Sequence, residues 1–229
     1  MDLDTAFKGA AARLGLGRVR AEFYPFSELR HTWTHNGGEL SFRISDYLEG
    51  APQEIIESLS GYLLCRAQHM TCAADVGAPY LAYANSRAFW ASVKETYLSR
   101  ARRLSFEADG GSRNLKIVFN YVNSRYFSGR APEPILAWVS ESPRRRLGFY
   151  FEPLRLLAAN RILDSESIPR YVLEFVMYHE LLHHLSAGDG GRVRRVHHTK
   201  QFKAQERAFT HFEEAESWLR RIVCARRSR

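Results

Sequence analysis

The stretch Tyr171-Val-Leu-Glu-Phe-Val-Met-Tyr-His-Glu-Leu-Leu-His-His-Leu185 decides how this chain reads. Pro169 suits a first helical turn, Ser165 and Ser167 stand near as caps, and an apolar run then leads into the histidines. Gly188, Gly190 and Gly191 follow as stop signals, which gives a buried helix of roughly five turns. His179, Glu180 and His183 form an H-E-x-x-H pattern within it. Residues four apart lie on one helical face, so two imidazoles can close on one metal ion with Glu180 beside it.

With nine His and 18 Glu in 229 residues, the pattern arises by chance in roughly 3 per cent of shuffled chains, so its setting has to carry weight. The setting does: His and Glu at the centre of so apolar a helix need partners, and a metal supplies them. A catalytic zinc site has three protein ligands as a rule. The downstream candidates are His184, Asp189, His197, His198, Glu206, His211, Glu213, Glu214 and Glu216. His184 is turned about 100° from His183 and reads as a packing group or as a hydrogen-bonding support behind the ligands. Asp189 reads as a turn carboxylate or as a hydrogen-bond acceptor for a ligand imidazole. His197 and His198 precede a second helical stretch, Thr199 to about Val223, and can drop one imidazole onto the metal.

His198-Thr-Lys-Gln-Phe202 resembles the H-[GS]-x-x-[FW] element that supplies the third ligand in SprT-like and related minimal zincin domains. Leu115 to Gly129 is similar to that family's opening helix, and Ile135-Leu-Ala-Trp-Val-Ser140 and Leu147-Gly-Phe-Tyr150 to two of its strands. Leu154 to Leu163 resembles its edge strand before the active-site helix. The resemblance covers residues 115 to 212. It implies an α+β fold, a small zincin-like domain in which a short twisted sheet packs on the H-E-x-x-H helix and a C-terminal helix. It implies Zn2+ held by His179, His183 and His198, with His197 as the alternative third ligand because Thr199 replaces the usual Gly or Ser. No Cys-rich zinc ribbon follows, since the chain has only Cys65, Cys72 and Cys224.

Such residues suit peptide-bond hydrolysis, with Glu180 taking a proton from a water activated by the metal and passing it to the leaving amine. Tyr178, Arg192, Arg194, Arg195 and His197 are the candidates for an oxyanion donor, and the sequence singles out none of them. The rival reading is a DNA-associated or protein-binding module whose zinc site is structural or weakly catalytic.

In the amino-terminal half, Arg18 to Pro25, Leu29 to Thr34 and Leu40 to Ser45 read as strands, with a turn at Asn36-Gly-Gly38. Pro52 to about Ala67 reads as an amphipathic helix. Aligning Pro52 with Pro169 puts Tyr62, Leu63 and Arg66 where His179, Glu180 and His183 lie, so residues 1–108 read as a degenerate copy without metal ligands and 109–229 as the metallopeptidase domain. A mixed helical stretch spans about Tyr83 to Leu104, and Asp109-Gly-Gly-Ser-Arg113 is the best linker candidate.

A hydrophobic content of 45% is ample for a core, and the run lengths exclude a bilayer-spanning segment. The Met-Asp-Leu-Asp start lacks a secretory pattern and three unpatterned cysteines suit a reducing compartment, so the expectation is a cytoplasmic protein. The net charge is +8, and residues 192–229 hold 11 Lys/Arg against four Glu, a difference of +7. A basic flank beside the site makes DNA a candidate partner next to a protein or peptide substrate. Phe202, Phe209, Phe212 and Trp218 are spaced as core rather than as a stacking surface.

Overall fold

The computed structural model describes the chain except residues 1, 74, 141–145, 187–197 and 226–229. It divides into two compact units, Met1–Ala101 and Arg102–Arg229, each mixed α and β.

The first unit runs α1 (Leu3–Arg13), β1 (Arg18–Tyr24), β2 (His31–Asn36), β3 (Glu39–Ser45), a 3-10 turn (Asp46–Leu48), α2 (Gln53–Ala67), α3 (Ala78–Ala84) and α4 (Arg87–Arg100). Its sheet has the order β1-β3-β2, with β1 parallel and β2 antiparallel to β3. Gly37 and Gly38 turn the β2–β3 hairpin at φ of 54° and 79°, the left-handed pair that a two-residue loop between twisted strands requires. Alternate residues of β1 and β3 face inward: Val19, Ala21, Leu40, Phe42 and Ile44 are buried with Phe7, Leu48, Leu59 and Leu64. Arg100 closes the unit through a bidentate pair with Asp46 at 2.6 and 2.8 Å.

The second unit runs β4 (Leu104–Ser105), α5 (Leu115–Phe127), β5 (Ile135–Val139), β6 (Gly148–Phe151), β7 (Leu156–Asn160), α6 (Arg170–Ser186), α7 (Lys200–Glu206) and α8 (Phe212–Ala225), with 3-10 turns at Glu152–Leu154 and Arg161–Leu163. The sheet order is β4-β5-β7-β6, with β5 and β7 parallel and β4 and β6 antiparallel to their neighbours. Asn114 caps α5 by accepting from the Lys116 and Ile117 N–H groups. Buried Asn123 then holds both backbone groups of Ala131, fixing the turn that leads into β5. The apolar face of α6 lies against β6 and β7, with α5, α7 and α8 around it.

Four expectations are corrected. The segment Leu154–Leu163 is not an edge strand: β7 lies between β5 and β6, every residue of it is buried, and the edges of the sheet are β4 and β6. The unit boundary falls after Ala101 rather than after residue 108, because β4 pairs with β5. The Asp109–Arg113 break is pinned inside the second unit, where Asp164 accepts from the Ser112 and Arg113 N–H groups and Arg113 donates to the Leu163, Ser165 and Ile168 carbonyls. The stretch after Thr199 is two helices, broken where Phe209 turns into the core against Tyr126, Phe175 and Tyr178.

Cys65 and Cys72 form a disulfide, so the cysteine count gives no argument for a reducing compartment. Among the described residues no helix is long and apolar enough to cross a membrane.

Candidate metal centre

Helix α6 places His179 and His183 one turn apart, and their Nε2 atoms approach to 3.1 Å. His198 reaches them from the segment before α7. Thr199 caps that helix by accepting from the Phe202 N–H at 3.1 Å, and this fixes the direction in which the chain enters. His198 Nε2 stands 3.4 Å from His179 Nε2, and the three ligand atoms lie within 4.8 Å of one another. Metal–nitrogen bonds of about 2.05 Å at tetrahedral angles separate two ligand nitrogens by about 3.3 Å, so this set fits a divalent cation.

The His179 imidazole is held from behind. Glu206, at the end of α7, accepts from His179 Nδ1 at 2.7 Å, which leaves the Nε2 lone pair free to face the centre. Burial lowers the His179 pKa, but the Glu206 bond together with the charges of Glu180, Glu206 and Glu216 outweighs it, and the ring ends above its ordinary value. Glu206 is lowered in turn by that bond. His183 is pushed down to about 4 by burial and by the other two imidazoles, so it stands neutral as a ligand must. Phe202 packs against all three rings, at 5.3, 4.6 and 4.9 Å between centroids, and gives the site an apolar wall.

Glu180 is buried on the β6 side of α6, where its carboxylate accepts the Tyr150 backbone N–H. Burial pushes its pKa up to about 7. The close approach of β6 depends on Gly148: a Cβ there would lie 2.6 Å from Val176 Cγ1 and 3.2 Å from Glu180 Oε1. His184 ties the same strand to the helix, since its Nε2–H donates to the Pro132 carbonyl at 3.0 Å and its Nδ1 accepts from the Tyr150 hydroxyl at 2.7 Å.

Comparison with protein-family models, curated proteins and solved structures finds no match.

His179, His183 and His198 come together, and Glu180 is turned to the Tyr150 N–H. His184 is the packing group expected of it. Tyr178 leaves the group of oxyanion candidates, because its hydroxyl is committed to the Gln205 carbonyl at 2.6 Å. His211 lies by Tyr171, and Glu213 and Glu214 are exposed on α8. Asp189, Arg192, Arg194, Arg195 and the alternative ligand His197 lie outside the described residues. Two roles were not read from the sequence. Glu206 is four residues after Phe202 on α7, and that spacing was the available signal. Gly148 gave none, since only the approach of helix to strand makes a glycine necessary.

Proposed function

We propose that the second unit is a zinc-dependent metallopeptidase of the SprT-like, minimal zincin kind, with His179, His183 and His198 as ligands and Glu180 as general acid and base. The observation that carries this reading is the convergence of three imidazole nitrogens, beside which the buried Glu180 carboxylate acts electrostatically on His179 without being one of the three. A structural zinc site closes with four protein ligands, whereas the three donors found among the described residues, with an acid/base group at hand, suit hydrolysis. Three imidazoles also suit zinc better than hard cations that prefer oxygen.

When bound, the cation supplies Lewis acidity that polarises a carbonyl and lowers the pKa of water. The chain's own residues do the rest. Glu206 keeps the His179 tautomer that presents Nε2. Phe202 excludes water from one side of the ligands. Glu180, poised near neutrality and anchored by the Tyr150 N–H, takes a proton at one carboxylate oxygen and returns it to the leaving amine.

The DNA part of the expectation falls largely on undescribed residues. Six of the 11 basic residues after position 191 lie outside the described ones; Lys200, Lys203, Arg207, Arg220 and Arg221 are exposed among four Glu.

The test is cleavage of an unfolded protein by the wild type and by Glu180→Gln, with and without DNA and at two salt concentrations. The variant keeps its zinc and loses about 100-fold or more in rate. Equal cleavage by the two proteins, or a wild type that takes up no zinc, defeats the reading.

A further inference from the structure

The two units share more than a fold class. Apart from β4 and the 3-10 turn Glu152–Leu154, which only the second unit has, each runs helix, strand, strand, strand, 3-10 turn, long helix, short helix, helix: α1-β1-β2-β3-α2-α3-α4 and α5-β5-β6-β7-α6-α7-α8. In both, the third strand lies between the other two, parallel to the first and antiparallel to the second. A left-handed glycine ends the first helix, Gly15 in one and Gly129 in the other. A proline stands directly before the long helix, Pro52 before α2 and Pro169 before α6. The short helices α3 and α7 have seven residues each, and α4 and α8 have 14 each.

The match extends to side chains when Pro52 is set on Pro169. Ile55, Ile56, Leu59, Leu63 and Leu64 are buried, and so are their counterparts Val172, Leu173, Val176, Glu180 and Leu181. Tyr62 and Arg66 occupy the face that carries His179 and His183, and they bond to each other at 3.1 Å. The third residue of the short helix is a buried aromatic in both: Tyr80, 6.0 Å from the Tyr62 ring, and Phe202, 5.3 Å from the His179 ring. Gly77, the counterpart of Thr199, lies so near Tyr62 that a Cβ would stand 2.5 Å from its ring, so the chain enters α3 against α2 as it enters α7 against His179. Val76 therefore holds the place of His198.

From this we infer that the first unit is a second copy of the metal-bearing unit in which the Cys65–Cys72 disulfide replaces the metal. Three imidazoles would crosslink α6 to the segment leading into α7. In the first unit Leu63 fills the place of the buried carboxylate with apolar carbon, and Cys65 on α2 is joined to Cys72 in the segment leading into α3. Both crosslinks tie the long helix to the chain that follows it. The first copy neither binds the cation nor cleaves.

The inference rests on the metal reading of the second unit, and hydrogen exchange on the full chain separates the two. Reductant speeds exchange in the last turns of α2 and in residues 68–77 while α6 and α7 stay protected, and chelator does the reverse. Reductant that leaves α2 unchanged, or that loosens α6, overturns the replacement. A wild type that loads no cation overturns the metal reading and the replacement with it. The copy itself is tested by grafting imidazoles and titrating Co2+. Tyr62→His with Arg66→His creates a helical pair that binds weakly on any helix, and adding Val76→His tightens that site at least about tenfold, to two cations per chain. A third imidazole at Thr71 instead gives no such gain; equal gains from positions 71 and 76 overturn the correspondence.

Discussion

The Glu206 carboxylate lies 2.7 Å from His179 Nδ1, which makes the last residue of α7 the fixed point for the first ligand of α6. The bond selects the tautomer and stops ring rotation, so its effect is on metal affinity. Glu206→Ala is expected to weaken zinc binding about 10- to 100-fold, and Glu206→Gln less, because the amide oxygen still accepts from Nδ1. Competition against a chromophoric chelator measures both. Unchanged affinity in the alanine variant disproves the orienting role.

Gly148 offers a different kind of control. A methyl group there would press on Val176 Cγ1 and on the Glu180 carboxylate, forcing β6 away from α6. Gly148→Ala is expected to cost about 1–3 kcal/mol in denaturant unfolding. It also separates two functions of the proposed site: cleavage falls with the displaced Glu180 while zinc affinity, set by the three imidazoles, holds. A variant as stable and as active as wild type rules out the close approach.

How far the sequence carries this structure depends on whether a feature is local. The α6 imidazole pair follows from a four-residue spacing in one helix, and His198 from its place four residues before Phe202. The hairpin at Gly37-Gly38 follows from turn chemistry. Leu156–Asn160 looked like an edge because its order along the chain does not tell which strand is central; its unbroken burial does. The break between α7 and α8 contains neither Gly nor Pro, and Phe209 makes it by entering the core. The Cys65–Cys72 pairing likewise depends on the segment after α2 folding back, with Cα atoms 6.0 Å apart.

Asp164 shows why Asp109–Arg113 is no linker. One carboxylate oxygen accepts two backbone N–H groups of that segment, and Gly110 packs where a Cβ would strike the same carboxyl. Asp164→Ala leaves those donors without their acceptor and is expected to destabilise the second unit by about 1–3 kcal/mol, with the first unit's transition unmoved. Limited proteolysis reports it directly, since the 109–113 segment becomes cleavable. Continued resistance contradicts the pinning.

His31 gives the first unit a pH dependence of defined sign. Its Nδ1 accepts the Ser45 N–H at 3.3 Å, so in the neutral ring Nε2–H donates to the Tyr80 hydroxyl at 2.8 Å. Burial pushes its pKa down to about 4, against 6.5 for the free side chain. The unfolded chain therefore binds a proton more readily, and stability is fully present above about pH 6.5 and is lost as pH falls through 4. The shift is worth about 3 kcal/mol across that window. His31→Gln keeps a polar partner for Tyr80 but cannot titrate, so the wild type's stability relative to this variant should fall by about that amount between pH 7 and 4. Denaturant melts that resolve the first unit at several pH values check it. A difference that stays constant with pH means that the ring is protonated equally well in both states, and the buried neutral imidazole is then wrong.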